Sequence, residues 1–351
     1  MQDKQQIKQE NLTIDEKVDQ IVASMSQTEK LGQMVMIGIQ GTKVDDDSLY
    51  MLNQYHMGGV ILFDRNMESL EQVKQLTSDL QAQSNEKVPL FIGIDEEGGD
   101  VVRMAEKLTP APSQKEIGAT GDIEQAKTWA IKTAKSLKDM GINVNFAPVA
   151  DVGSNDKRLY STDANTVIDF VRAATKGYQQ ENIIYSLKHF PGIGKGKVDS
   201  HIDSSSIDVA KEVLMTEDIL PFKTIIDESD PNDYFILVSH LKYLALDEEY
   251  PASLSSKIMT DLLRNELGYK GIIITDDMEM GAVANHNDFR SIGVNAVKAG
   301  ADIVLVCHEY KHQQEVYLGL LDAVNSGEIS QERIDESIKR IIKVKLLHLY
   351  Q

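Results

Sequence analysis

The sequence predicts an α/β fold in which parallel strands and helices close into a single (β/α)8 TIM-type barrel. Three observations predict it. Eight short apolar runs of strand length recur along the 351 residues. Segments of helical period separate them, which is the order of a parallel sheet. The runs are almost continuously apolar, as strands covered on both faces must be. Eight units favour closure over an open doubly wound sheet, and the length suits one barrel somewhat above ordinary size.

The chain opens on MQDKQQIKQEN, a polar stretch without a hydrophobic signal region. Residues 1–14 are therefore expected to form a mobile tail and residues 15–351 the barrel. The first strands are Met34–Ile39 and Gly58–Phe63, followed by an amphipathic helix over Glu68–Gln83. Strand three is Pro89–Ile94; a helix over Ile123–Met140 leads to strand four, Ile142–Val149. A helix over Val167–Gln179 precedes strand five, Ile183–Lys188, and strand six is Phe235–His240. A helix over Lys257–Leu267 leads to Gly271–Asp276, and Asp302–Cys307 completes the set. Some irregularity is expected at the first strands. No linker or low-complexity tract divides the chain.

Apolar residues make up 42% of the composition, enough for a large core, and the formal net charge is -19. So acidic a chain repels nucleic acid and anionic membranes, so neither is an expected partner. No apolar run is long enough for a transmembrane helix. A single cysteine, Cys307, rules out an intramolecular disulfide and a cysteine-based zinc site. Its setting in ADIVLVC reads as a buried structural thiol. The histidines show no ligand spacing such as H-E-x-x-H, so no metal or other cofactor is expected.

In a barrel, chemistry sits at the C-terminal ends of the strands. The runs end in Asp95, Glu96 and Glu97; in Asn145 and Asp151; in Lys188 and His189; in His240; in Asp276 and Asp277; and in His308 and Glu309. Any one of these suits a helix cap, but the whole set on one rim suits a site. Three segments stand out. KHFPGIGKGKVDSH (188–201) follows strand five, and its prolines and glycines describe a long flexible loop ending in Asp199-Ser200-His201. A carboxylate beside an imidazole can orient it and stabilise its cation, although a solvated loop with incidental charges fits the spacing equally well. GIIITDDMEMGA places Asp276 and Asp277 at the barrel mouth. One of them is expected to attack an anomeric carbon and the other to be structural. In GIDEEGGDVVRM, Gly98-Gly99 turns the chain from Asp95 back to Arg103, an acceptor and a forked donor that suit sugar hydroxyls.

Together these segments resemble family 3 glycoside hydrolases, specifically the bacterial β-N-acetylglucosaminidases that process peptidoglycan fragments. The resemblance runs from about Leu31 to beyond Met280 and rests on GGVILFDRN, D-x-E-G-G-x-V-x-R, NFAPVADV, KHFPG…DSH, PASLS and ITDDMEMGA. It implies a retaining exo-hydrolase with Asp276 as nucleophile, His201 as acid/base and Asp199 as its partner. It further implies that Asp95, Arg103, Arg158, Lys188 and His189 hold the N-acetylglucosamine ring. The expected partner is an N-acetylglucosamine-containing glycan or muropeptide. The chain departs from the family at Ile193, where P-G-H-G is common, and around Arg158, where KRLYST replaces a segment closer to R-S-F-G. A phosphorylase or β-glucosidase on the same barrel and a carbohydrate-binding protein without turnover are the alternatives. The polar tail tilts the expected location towards the bacterial cell surface, with the cytoplasm as the alternative.

Overall fold

The computed structural model describes residues 12–84, 88–103, 109–153, 156–196, 205–285 and 287–350. Its eight barrel strands are β1 (Val35–Gly38), β2 (Gly59–Leu62), β3 (Phe91–Ile94), β4 (Val144–Asn145), β5 (Ile184–Phe190), β6 (Tyr234–Val238), β7 (Ile272–Asp277) and β8 (Ile303–Val306). They are hydrogen-bonded in chain order, and β8 closes on β1 through Val35–Val304, Met36–Leu305 and Ile37–Val306. All the pairs are parallel. Closure leaves the barrel without a free edge. A short parallel ribbon, Ser206–Ile207 with Lys242–Tyr243, lies apart from it.

Before β1 come α1 (Ile14–Ser24) and α2 (Gln27–Gln33). Each starts on a capping box, Thr13 with Glu16 and Ser26 with Glu29, so two backbone donors at each start are satisfied reciprocally. The outer ring continues with α3 (Asp46–Gln54), α4 (Leu70–Ala82), α5 (Gln114–Ala119), α6 (Ile123–Asp139) and α7 (Ala164–Gln180). It closes with α8 (Leu220–Glu228), the π-helical segment Lys257–Glu266, α9 (Phe289–Ala299), α10 (Tyr310–Asn325) and α11 (Gln331–His348). Among the described residues no helix is long and apolar enough to cross a membrane.

The expected strand Ile142–Val149 is shorter in the structure. Pro148 offers no N–H to a ladder, so β4 holds only Val144–Asn145, and Val149 returns to bridge Lys188 alone. The first strands pair in continuous register. The shifts fall later, between Leu187 and Phe190 on β5 and between the β8 residues Ile303 and Leu305 against β7. Inside the barrel, Gly93 makes room for its neighbours. A Cβ there would lie 2.7 Å from Met36 Cε and 2.8 Å from Phe146 Cε2.

Two buried titratable groups organise the end of the barrel where the strands begin. Asp302, just before β8, is fully buried and accepts from Ser337 Oγ (2.6 Å), Arg340 Nη1 (2.9 Å), the Ile273 N–H (3.0 Å) and Arg264 Nη2. Lys345 on α11 is also fully buried, and its Nζ donates to Gln33 Oε1 (2.6 Å) and the Gly58 carbonyl (2.8 Å). Two acceptors match the two donors of a neutral amine. Burial lowers the Lys345 amine well below its ordinary value, and the Phe91 ring, 4.6 Å away, offsets only part of that cost.

The sign of the resulting pH dependence follows from proton counts. Below the ordinary lysine value the unfolded chain binds a proton that the folded chain resists. Stability therefore rises with pH up to about 10.4 and the contribution is lost as pH falls. Chemical denaturation from pH 7 to 10 should show wild type gaining on Lys345→Met by up to about 1.4 kcal/mol per pH unit. Parallel curves for the two proteins would show that Lys345 stays charged.

Candidate active site

The strand ends opposite Lys345 and Asp302 surround a pocket of about 320 Å³. Its lining includes Asp95, Arg103, Arg158, Lys188, His189 and Asp276, so six residues singled out in the sequence meet in one place. Ile61, Phe146, Leu237 and Leu305 contribute an apolar part. Asp199 and His201 lie outside the described residues.

The two register shifts explain how neighbouring residues share the pocket. Successive side chains on a strand face opposite sides, yet Lys188 and His189 both line the site, as do Asp276 and Asp277. The shift on β5 falls between Leu187 and Phe190, across the first pair. The β7–β8 shift jumps from Ile274 to Asp277, across the second. A local irregularity of this kind re-aims a side chain that regular pleating would send the other way.

Beyond β3 the chain turns through Gly98 and Gly99, with φ of +98° and +61°, conformations that glycine adopts freely. The Glu97 and Gly98 N–H groups both donate to the Val101 carbonyl, and Glu96 Oε2 accepts from the Arg103 N–H at 2.9 Å. Burial pushes Glu96 up to about 7. The turn returns Arg103 towards Asp95, where Nη2 reaches Oδ2 at 3.3 Å. The Arg103 guanidinium also lies 5.2 Å from the centre of the Phe63 ring.

A nearly dry charge cluster spans the ends of β3, β4 and β5. Lys188 Nζ contacts Asp95 Oδ1 and Glu97 Oε1, both at 2.6 Å. Arg158 grips Glu97 with Nε and Nη2, each at 2.8 Å, the bidentate geometry of a strong charge-assisted pair. The side chains of Lys188 and Glu97 are only 3% and 2% exposed, so each is stable there as an ion only with its partners, Asp95 and Glu97 for Lys188 and Lys188 and Arg158 for Glu97. Burial works against the ionised forms, but the partners outweigh it. Asp95 and Glu97 are held below the ordinary carboxylate range, and Lys188 and Arg158 are raised.

His189 is fixed from both sides. Its Nε2 lies 3.0 Å from Arg158 Nη2, and its Nδ1 lies 2.8 Å from Asp151 Oδ2. A guanidinium only donates, so Nε2 accepts and the proton sits on Nδ1, facing the carboxylate. Asp151, fully buried, also accepts from the His189 and Ile193 N–H groups through Oδ1, at 3.1 and 3.0 Å. Lys195, two residues further on, pairs with Glu217 Oε2 at 2.8 Å and with Asp218. These contacts set the direction in which the Gly/Pro-rich segment leaves β5.

Across β7, Asp276 Oδ1 accepts from the Asp277 N–H at 2.9 Å. Asp277 Oδ1 accepts from the Cys307 and Glu279 N–H groups, each at 3.1 Å. Cys307 is buried, and burial raises its thiol well above the ordinary value. Glu97 and Asp151 entered the sequence reading only as rim charges; the structure makes them the anchors of the cationic side chains. The alternation Asp95-x-Glu97 carried a signal for the first, since residues two apart at a strand end share a face. Nothing local to Asp151 announced its partner.

Comparison with known proteins adds three findings. The family model described as Glycosyl hydrolase family 3 N terminal domain matches residues 26–344. Among named relatives, Beta-hexosaminidase A of Pseudoalteromonas piscicida is 35% identical over 326 residues, 84% of this chain and 54% of that protein. Beta-hexosaminidase of Nitrosomonas eutropha is 30% identical over 318 residues, 87% of this chain and 90% of that one. Among solved structures, a glycoside hydrolase family 3 beta-N-acetylglucosaminidase from a Paenibacillus species superposes with a TM-score of 0.89 at 37% identity. That alignment covers 92% of this chain and 62% of the other. The chain thus spans about half of the Pseudoalteromonas relative and under two thirds of the Paenibacillus chain.

Proposed function

The chain belongs to glycosyl hydrolase family 3, and from that membership we propose that it is a retaining exo-β-N-acetylglucosaminidase acting on peptidoglycan-derived fragments. The observation that carries the reading is the pocket at the strand ends, where the Asp276 carboxylate meets a preorganised set of charged donors and acceptors. The printed names of the relatives support the substrate class.

In this reading Asp276 attacks the anomeric carbon and forms a glycosyl ester, which water then cleaves. One of its oxygens is engaged by the Asp277 N–H, leaving the other for attack. Asp95, Arg103, Lys188, Arg158 and His189 hold the sugar. Their mutual pairing fixes them before substrate arrives, so binding requires little rearrangement. His201, supported by Asp199, donates a proton to the leaving oxygen and then takes one from water. An imidazole with an ordinary value near 6.5 can do both around neutral pH.

Turnover of an aryl N-acetyl-β-glucosaminide beside the matching aryl β-glucoside tests the proposal. A site that hydrogen-bonds a buried polar group rejects analogues lacking it. The acetamido substrate should therefore be favoured in kcat/KM by at least about tenfold, with the β-anomer as first product by NMR. Equal kcat/KM on the two substrates would remove the acetamido specificity, and an α-anomer as first product would remove retention.

A further inference from the structure

We propose that Asp277 is a positioning residue for the nucleophile, delivering its own N–H to Asp276 while two histidines hold the rest of it, His240 at its carbonyl and His308 at its carboxylate. The inference rests on reading Asp276 as the nucleophile.

The Asp277 N–H reaches Asp276 Oδ1 at 2.9 Å, so the orientation of the attacking carboxylate depends on where that peptide lies. Residue 277 is held from two directions. Behind it, His240 Nε2 meets the Asp277 carbonyl at 2.8 Å, while His240 Nδ1 meets Ser253 Oγ at 2.6 Å. A carbonyl only accepts, so Nε2 carries a proton. This contact gives the PASLS segment a role: its first serine braces the histidine that braces residue 277.

On the other side, Asp277 Oδ2 lies 3.2 Å from His308 Nε2. His308 Nδ1 lies 3.2 Å from Arg65 Nη1, and Arg65 is itself anchored by Nε on the Ile39 carbonyl at 2.9 Å and by Nη2 on the Cys307 carbonyl. Arginine has no acceptor, so it fixes the Nε2–H tautomer and directs that proton at Asp277. The result is a line of donors from Arg65 to His308 to the Asp277 carboxylate, ending in the Asp277 N–H on Asp276. Residues from the exits of β2, β6, β7 and β8 converge on one residue. Asp277 and Glu279 from the β7 exit and Arg65 from the β2 exit are the charged groups facing His308. The Asp277 hydrogen bond raises the imidazole above its ordinary value, and Arg65 works against that rise.

The test compares Asp277→Ala, His308→Ala and His308→Gln in the full-length protein. Three quantities are read for each: kcat, inhibition by free N-acetylglucosamine, and the rate of covalent labelling by a 2-acetamido-2-deoxy-5-fluoroglycosyl fluoride, followed by intact mass. Both alanine variants should lose roughly tenfold to a hundredfold in kcat and in labelling rate, the scale of a hydrogen bond to a charged group. Inhibition by the free sugar should hardly change. Gln can present an amide N–H where Nε2 stood, so His308→Gln should recover most of the rate. A wild-type kcat in the alanine variants, or sugar inhibition that weakens in step with kcat, would overturn the proposal. His308 is half-exposed, so its replacement keeps the test open if Asp277→Ala fails to fold. Asp276→Asn run alongside separates the two ideas. Activity in that variant defeats the nucleophile assignment itself, whereas its inactivity beside fully active Asp277→Ala and His308→Ala defeats only the clamp.

Discussion

Asp276→Asn is expected to lower kcat by at least about a thousandfold, equivalent to about 4 kcal/mol of transition-state stabilisation. The argument is chemical. The side chain keeps its shape and can still accept from the Asp277 N–H, so the pocket should persist and free sugar should still bind. What disappears is the negative charge and nucleophilicity that the proposed glycosyl ester requires. The loss should therefore fall on kcat with little change in ground-state affinity, the pattern of an interaction made only on the way to reaction. Intact mass of the wild type after treatment with a fluorinated trap should show one added sugar, located on the peptide that contains Asp276. A near-normal rate in Asp276→Asn, or label on a different residue, would take Asp276 out of the mechanism.

The second large effect concerns stability. Asp302→Ala should cost about 3–5 kcal/mol, because removing one partner leaves buried opposite charges uncompensated. Asp302 is the only acid in direct contact with three guanidiniums among the described residues, those of Arg264, Arg333 and Arg340. Arg333 and Arg340 keep some access to water, with side chains 20% and 26% exposed, but Arg264 has less at 11%. Burial opposes ionisation of Asp302, yet the arginines hold it below the ordinary carboxylate value. A group lowered in the folded state contributes stability that is complete above about pH 4 and is lost as pH falls through the folded value. Urea unfolding at pH 7 measures the loss. A change below about 1 kcal/mol would mean that the arginines hydrate freely without Asp302.

The barrel was legible in the sequence because its strands are short apolar blocks between amphipathic helices, a pattern that local composition carries. The two helices at the start carry readable capping signals, T-x-x-E at Thr13–Glu16 and S-x-x-E at Ser26–Glu29. The mostly apolar run Ile142–Val149 suggests a longer strand four than the two residues that form it, and Pro148 is the signal that it stops early. The pocket residues Asp95, Arg103, Arg158, Lys188, His189 and Asp276 were visible as charges at strand ends or through family resemblance, and the structure gathers them. Hidden from sequence were the partnerships. Glu97 meets Arg158 across 61 positions and Asp151 meets His189 across 38, distances over which no periodicity speaks. The register shifts that aim Lys188 with His189 and Asp276 with Asp277 into one cavity are equally silent, since they arise only when strands pair. Asp199 and His201 lie outside the described residues and stand on their spacing in the loop and on the resemblance.

The web joining Asp95, Lys188, Glu97, Arg158, His189 and Asp151 has a consequence for descent. Each of its ionic members is tolerated because its neighbours are present, so the effect of changing one depends on the state of the others. A single substitution leaves an orphan that destabilises the fold before any new specificity can emerge. Substitutions within the web are therefore expected to be coupled, so that a paired replacement costs less than the sum of its single changes. The rim outside the web, where Asp64 and Asp100 stand largely in water, is free of that constraint. Changes there can be made one residue at a time, while the buried web stays intact.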